Sequence, residues 1–439
     1  MLWGNGGALP RKARNTRLAD LQQEAQWTNG DLAREVNRLG TLHGLRFTYD
    51  RTAVAHWLSG SRPRPPVPAL VAEAFSRRLG RLVTPEWTGL TSQQQRLAPS
   101  STAHPLLTFA EFAVSDAESA PRSPAAHIFS VQEIEAELGT AAGPPPRDSD
   151  SRPSTTAQRL EHLSSFFFEH VQRYGGQTLG STLAQYIADE APRLLAEDSP
   201  EPERPEVLTA LARLSYVQAA VAADSGRPGL AQRYYQHALS LARRAGSRHD
   251  YAITLRALAT LADSLGEAPL TRKLTGHAID IAGPNAAPAV RSFLHSGRAL
   301  ALARAGDRPG ALRALSTAVR IHPEGDQATS PFDTYSLASL QYQRALVLGA
   351  LGAGPDHLQA LLESLRTRPV GHHKALAITH SRIALALLHT GQWDQALPHA
   401  HAAFAAARAV SSVPTHTNVA ELRRSMAAFR RRMGAGPGP

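Results

Sequence analysis

The sequence predicts an all-α protein: an N-terminal helical domain, a flexible linker and a C-terminal α-solenoid of stacked helical hairpins. Three observations predict it. Apolar residues make up 42% of the 439-residue chain and aromatics only 6%, and the apolar set is dominated by Ala and Leu, both strong helix formers. Apolar residues recur at helical spacing through most of residues 16–80 and 156–433. A glycine returns at Gly226, Gly266, Gly306, Gly352 and Gly391, at spacings of about 40, 40, 46 and 39 residues, which is the period of a helical-hairpin array.

Composition bounds the organisation. Residues 1–15 form a basic arm and residues 16–90 a compact helical pattern. Together, residues 1–90 hold 13 Lys/Arg and 7 Asp/Glu, about +6 of the chain's formal +10. Such a balance favours anionic partners. Residues 91–155 are rich in Ser, Pro and Ala and read as linker, with one short helix from Ser130 to Leu138 carrying Val131, Ile134 and Leu138. Residues 156–433 carry the repeats.

Four short helices are expected in residues 16–80. Leu18, Leu21 and Ala25 share a face of the first. Asp31 or Asn29 caps the second, which buries Leu32 and Val36. Asp50 caps the third, with Val54, Trp57 and Leu58 inside. Val67, Leu70, Val71, Ala74, Phe75 and Leu79 line the fourth. The prolines from Pro63 to Pro68 favour an extended, rigid connector between the last two.

The strings Leu32-Ala33 and Thr52-Ala-Val-Ala-His-Trp-Leu-Ser-Gly60 resemble the repressor-type helix-turn-helix. In that resemblance Leu32, Ala33, Val36, Val54, Trp57 and Leu58 form the core, Ala33 being the small residue where the two helices cross. The outer face of the third helix then holds Arg51, Thr52, Ala55 and His56 as candidate base contacts in the major groove. Arg62 and Arg64, with Arg11, Lys12, Arg14 and Arg17 of the arm, are candidate phosphate contacts, which position rather than specify. The pattern departs from that motif in its turn. About ten residues, Gly40 to Tyr49, separate the helices where three or four are usual, either as a short wing or as an obstruction to the groove.

In the third zone, Ala219-x-x-Ala222, Gly226, Ala231, Tyr235 and Ala238 return with small changes. The closing small residue recurs as Ala278, Ala318, Ser364 and Ala403. Small residues let antiparallel helices approach, and Gly226 ends the first helix at positive φ. Gly226-Arg-Pro-Gly and Asp307-Arg-Pro-Gly make the turn. Leu211, Leu214, Leu239, Leu255, Leu258 and Leu261 supply the stripe between hairpins. Over residues 205–410 these spacings resemble tetratricopeptide repeats, lengthened, with Thr275 and Leu315 in the aromatic position. Such an array curls into a concave groove suited to a peptide or a partner helix. The last helix is expected from Asn418, as a cap, to Met433. Its apolar face (Val419, Leu422, Met426, Phe429) closes the solenoid, and Arg423, Arg424, Arg430 and Arg431 lie opposite.

Taken together, Glu24-Ala-x-Trp27, Leu32-Ala-Arg-x-Val-Asn37, Tyr49-Asp-Arg-Thr, Ala55-His-Trp-Leu and Gly60-x-Arg-Pro-Arg-Pro-Pro66 resemble a family of actinobacterial regulators. In that family this helix-turn-helix precedes tetratricopeptide-like repeats, and some members act in sporulation and antibiotic production. The resemblance implies a transcriptional regulator that binds double-stranded DNA and that senses a ligand or recruits a protein or peptide through its repeats; a homodimer would fix the spacing of two half-sites. Two alternatives stand beside it: a protein-interaction scaffold that binds no DNA, and a peptide-responsive receptor-regulator.

Other classes find no support in the sequence. There is no cysteine, so disulfides, thiolate metal sites and a Cys nucleophile are excluded. His372-His373 and His399-x-His401 lack the spacing of a helical zinc site, and no Walker loop, nucleophile elbow or kinase signature occurs. No enzyme, cofactor or metal is expected. No apolar run approaches transmembrane length and no signal peptide opens the chain, so a cytoplasmic protein is expected.

Overall fold

The computed structural model describes residues 14–91, 105–118, 127–140, 154–195, 205–323 and 332–434. The described residues are helical and divide into two compact units. The first spans residues 1–102 and 122–140, the second residues 103–121 and 141–439.

The first unit packs α1 (Thr16–Ala25), α2 (Asn29–Leu42), α3 (Arg51–Leu58) and α4 (Val67–Leu79) around one core, with α6 (Val131–Thr140) against α4. All four helices expected in residues 16–80 are present, and the apolar residues read for them face inward. Leu18, Leu32, Val36, Val54, Leu70, Val71, Ala74 and Phe75 are fully buried. Asp50 caps α3 as expected, accepting from the amides of Thr52 and Ala53 at 3.0 and 2.9 Å. The second cap differs. Thr28, not Asn29 or Asp31, is the N-cap of α2, and Asp31 closes a reciprocal capping box with it. A hydroxyl one residue before the helix reaches the third amide, which a residue already in the first turn cannot do.

His43 ends α2 and is buried beside Arg77. Burial first, and the Arg77 charge second, push its imidazole down to about 4. A histidine with a depressed folded value adds stability that is complete above its ordinary value near 6.5 and is lost as pH falls toward 4. At about 1.4 kcal/mol per unit, the ceiling is about 3 kcal/mol. The buried Glu73 on α4 opposes it. Burial outweighs its 2.7 Å contact with Arg77 and pushes its carboxyl up to about 7, so that group costs stability as pH rises from 4.5 to 7. Comparing wild type with His43→Leu cancels the Glu73 contribution. The expected result is that hydrogen exchange of the α2–α4 amides shows wild type losing about 3 kcal/mol of protection relative to the variant between pH 6.5 and 4. Parallel curves would refute it.

The stretch expected as linker carries more structure than its composition suggests. α6 lies where a helix was expected. In addition, α5 (Pro105–Glu118) belongs to the second unit. It buries Phe109, Ala110 and Ala113, sets Phe112 edge-on to Tyr234 at 4.9 Å, and accepts a 2.8 Å hydrogen bond from the Tyr234 hydroxyl through Asp116.

The second unit continues with α7 (Thr155–Tyr174) and α8 (Gly180–Leu195). Five hairpins follow: α9 (Pro205–Asp224) with α10 (Pro228–Arg244), α11 (Arg248–Ser264) with α12 (Ala268–Ala282), α13 (Pro288–Arg304) with α14 (Arg308–Ile321), α15 (Leu337–Ala350) with α16 (Gly354–Arg366), and α17 (His373–His389) with α18 (Trp393–Ala407). α19 (Val413–Gly434) closes the array. Gly226, Gly266, Gly306, Gly352 and Gly391 sit at φ 73, 81, 81, 74 and 79°. At Gly226 a left-handed residue turns the chain within two residues into α10, where only glycine is free of the Cβ penalty. Ala238, Ala278, Ala318, Ser364 and Ala403 are all fully buried. Ser364 is tolerated in an alanine slot because its hydroxyl donates to the Ala338 carbonyl of the facing helix at 2.7 Å. Ser292 does the same toward Ala318 at 2.8 Å.

α19 begins five residues earlier than expected. Ser412, not Asn418, accepts the first-turn amide, from Thr415 at 3.3 Å. Pro414 is compatible with a first turn, which needs no proline N–H. Asn418 lies inside the helix and donates to the Pro414 carbonyl at 2.8 Å. Val419 and Leu422 are buried against the last hairpin, with Met426 and Phe429 beside them; the Met433 side chain lies outside the described residues.

Candidate functional site

Two places in the chain gather the residues singled out by sequence, one in each unit. In the first unit, α2 and α3 cross through Ala33, Val36, Val54 and Trp57, all buried, with Leu58 half-buried at the edge. That packing brings the N-termini of the two helices together. An open groove between them is lined by Thr28, Asn29, Gly30, Arg51, Thr52 and Ala55. The capping box occupies the Thr28 and Asp31 amides, leaving the Asn29 and Gly30 amides as first-turn donors without an intrahelical acceptor. Arg51, Thr52, Ala55 and His56 are all exposed. His56 stands outside the groove lining.

The long connection between α2 and α3 is a defined element. Asn37 holds it at two points, donating to the Tyr49 carbonyl at 2.8 Å and accepting from the Tyr49 amide at 3.0 Å. Phe47 stacks on Tyr49 with ring centroids 5.3 Å apart, and Tyr49 and Trp57 meet edge-on at 5.2 Å. Phe47 also lies over Gly40, where an added Cβ would stand 2.6 Å from its ring. The extra residues therefore form an aromatic clasp onto the core of α2 and α3. Asn37 and Tyr49 were in the quoted strings, but nothing in sequence paired them.

Of the acids beside this groove, Asp31 and Glu35 are paired within α2, while the exposed Asp50 carboxylate caps α3 next to Arg51. Asp31 pairs with Arg34, and Glu35 holds Arg38 at 2.6 and 2.8 Å. Arg14, Arg46, Arg51, Arg62 and Arg64 are exposed and make no ion pair among the described residues. Arg17 donates to the Glu86 carbonyl at 3.1 Å. Arg11 and Lys12 lie outside the described residues.

A family model described as the SP15 N-terminal domain matches residues 18–91, which is the α1–α4 part of the first unit. No curated protein matches the chain. Among solved structures, the chain is similar to BtubC (BKLC) from P. vanneervenii, with 17% identity and a TM-score of 0.37 over 60% of this chain and 94% of that one. It is also similar to the APC/C hetero-tetramer Cut9–Hcn1, with 14% identity and a TM-score of 0.37 over 93% of this chain and 74% of that one.

The second place is the inner face of the array. Consecutive first helices, α9, α11, α13 and α15, pack on one another, while their second helices pack chiefly within and between neighbouring hairpins. The first helices thus line the tighter, inner layer. That layer is covered by the chain itself. α7 lies against α9 and reaches α17. Residues 332–336, part of the long connection between α14 and α15 that lengthens the spacing to 46, fold onto the same surface. Phe332 is buried between Phe168 of α7 and Tyr216 of α9 at 5.4 and 5.5 Å, under the Arg213 guanidinium at 5.2 Å. Arg213 in turn donates to Asp250 at 2.7 Å and to Glu161 at 3.2 Å. Asp333 stands 2.9 Å from His249, and the Tyr335 hydroxyl 2.9 Å from Ser296. Burial pushes the Tyr216 and Tyr335 hydroxyls up to about 12, so both are neutral phenols at physiological pH. The open concave groove expected from the repeats is therefore filled along this stretch by α7 and residues 332–336.

The ends of the array are fastened at Asp224, the last residue of α9. Its carboxylate accepts from the Gly176 amide and the Ser412 hydroxyl, each at 2.8 Å, and pairs with Lys374 Nζ at 2.6 Å. The first hairpin, the fifth hairpin, the end of α7 and the start of α19 thus meet at one buried aspartate. Gly176 is needed there because an added Cβ would stand 2.8 Å from the Val221 Cα. None of these residues stands out in the sequence. Among the described residues no three His, Asp or Glu side chains converge as a metal site would require, and no helix is long and apolar enough to cross a membrane.

Proposed function

We propose that the protein is a docking scaffold whose repeat unit binds a protein partner. The observation that carries this reading is the array of five stacked hairpins, with its ends fastened at Asp224. Stacked hairpins present extended, rigid surfaces of the kind that repeat proteins use to hold other chains. With the inner layer covered by α7 and Phe332, the partner docks on the outer and terminal faces.

A second reading concerns the first unit, and a specific observation favours it. Arg51 and Thr52 at the start of α3 share one open groove with the unspent amides of α2; of the nearby acids, Asp31 and Glu35 are paired within α2 and Asp50 caps α3. That arrangement suits a phosphate backbone beside base edges. In this reading the scaffold binds double-stranded DNA, and the protein is a transcriptional regulator of the developmental or secondary-metabolic kind that the sequence resemblance implies.

One experiment addresses both. The full-length protein is crosslinked in its own cells, and bound proteins and DNA are recovered from the same sample at two salt concentrations. The expected result is a defined polypeptide crosslinked to residues 205–434 in wild type and Arg51→Ala alike, together with a DNA motif enriched in wild type and lost in Arg51→Ala. No polypeptide on the array would overturn the scaffold reading. Sequence-blind DNA that vanishes at modest salt would overturn the second.

A further inference from the structure

The outward face of α18 and α19 carries arginines in a specific arrangement. Arg423 lies over the Phe404 ring at 5.2 Å and Arg430 over the Trp393 ring at 5.3 Å. Trp393 itself stacks on Phe429, with centroids 5.2 Å apart and planes at 13°. The rings join the two helices, and a guanidinium group lies over each of Phe404 and Trp393. Arg424 and Arg431 are exposed beside these. None of the four makes an ion pair among the described residues, and the nearby acids on these helices, Asp394 and Glu421, are exposed and unpaired with them.

A closing helix needs only a polar outer face to end a solenoid, and free Lys or Glu would serve. Arginines stacked on rings have given up side-chain freedom before any ligand arrives. Exposed and without an ion pair among the described residues, they keep the N–H fork that matches a carboxylate. Arg423 with Arg430, and Arg424 with Arg431, are each seven residues apart, about 10.5 Å along the helix at 1.5 Å per residue. That is the repeat of one face of a partner helix. The apolar ring edges between the cations suit the aliphatic residues of such a helix and have no counterpart in a phosphate backbone.

We infer that the α18–α19 face docks an acidic amphipathic helix of another protein, whose carboxylates recur every seven residues. This rests on the scaffold reading and names the partner chemistry for one of its faces.

The test uses the full chain and three fluorescent probes: a 21-residue helix with Glu at seven-residue spacing among Leu and Ala, a peptide of the same composition in scrambled order, and a 20-base-pair duplex DNA. Binding is read by anisotropy. The expected result is that wild type holds the patterned helix at least about tenfold tighter than the scrambled one. Arg423→Gln/Arg430→Gln should lose about tenfold for the patterned helix with an unchanged melting temperature, and Arg51→Ala should lose nothing. Equal affinity for the two peptides, or a double variant that loses duplex DNA and not the patterned helix, overturns the inference. If the patterned helix fails while a crosslinked polypeptide still maps elsewhere on residues 205–434, this face is wrong and the scaffold reading stands.

Discussion

Replacing Asp224 by alanine is expected to cost the repeat unit about 3–5 kcal/mol. The carboxylate is 4% exposed and serves three groups at once, the Gly176 amide, the Ser412 hydroxyl and the Lys374 ammonium. Its removal strands a donor and a largely buried cation, and breaking a buried pair by deleting one partner costs in that range. The Gly176 amide adds a further unmade hydrogen bond. Because the contacts join both ends of the array, the loss should not stay local. Hydrogen exchange on the full chain should show faster exchange at the end of α7, the start of α17 and the start of α19 together, with α11–α14 less affected. Asp224→Asn keeps the shape but pairs no ammonium, so an intermediate loss is expected. If the alanine variant unfolds within 1 kcal/mol of wild type, the closure does not hold the ends.

What could be read in sequence and what could not follows from the reach of each interaction. The five turn glycines were legible because each satisfies a local demand, a positive φ two residues before the next helix. The small buried positions, from Ala238 to Ala403, were legible because close helix approach is imposed within one hairpin. Val54 and Trp57 were legible because they fall on one face of a short helix. The closure at Asp224 was not, since its hydroxyl partner Ser412 is 188 residues away and meets it only after five hairpins have set the curvature. Nor was the covered inner face, since Phe332 is an isolated aromatic in an irregular segment whose neighbours come from α7 and α9. α5 was missed because Ser-, Pro- and Ala-rich surroundings hid Phe109 and Phe112. The start of α19 was missed because Asn418 offers a local capping pattern that Ser412, six residues earlier, already supplies.

The second large effect is expected in the first unit, at Trp57. Its ring is 4% exposed, packs into the core shared by α1–α4, and meets the Tyr49 ring edge-on at 5.2 Å. Truncating a buried tryptophan to alanine costs about 3–5 kcal/mol through lost transfer energy and the cavity left behind. A unit of this size has little stability to spare. The cost falls on the groove as well, because Trp57 anchors α3 from below while the clasp of Phe47 and Tyr49 anchors the segment leading into it. In Trp57→Ala the α3 amides should therefore exchange about as fast as in the unfolded chain, while the repeat unit keeps its protection. Thr52→Ala, on the exposed face of the same helix, should change stability by no more than about 0.5 kcal/mol, so any loss of DNA recovery it causes reports contact and not folding. Tyr49→Leu should fall between the two, since it removes the ring edge and keeps the apolar bulk. If Trp57→Ala leaves α3 protected, the connection alone holds the helix, and the groove depends on Asn37 and Tyr49 more than on the core beneath it.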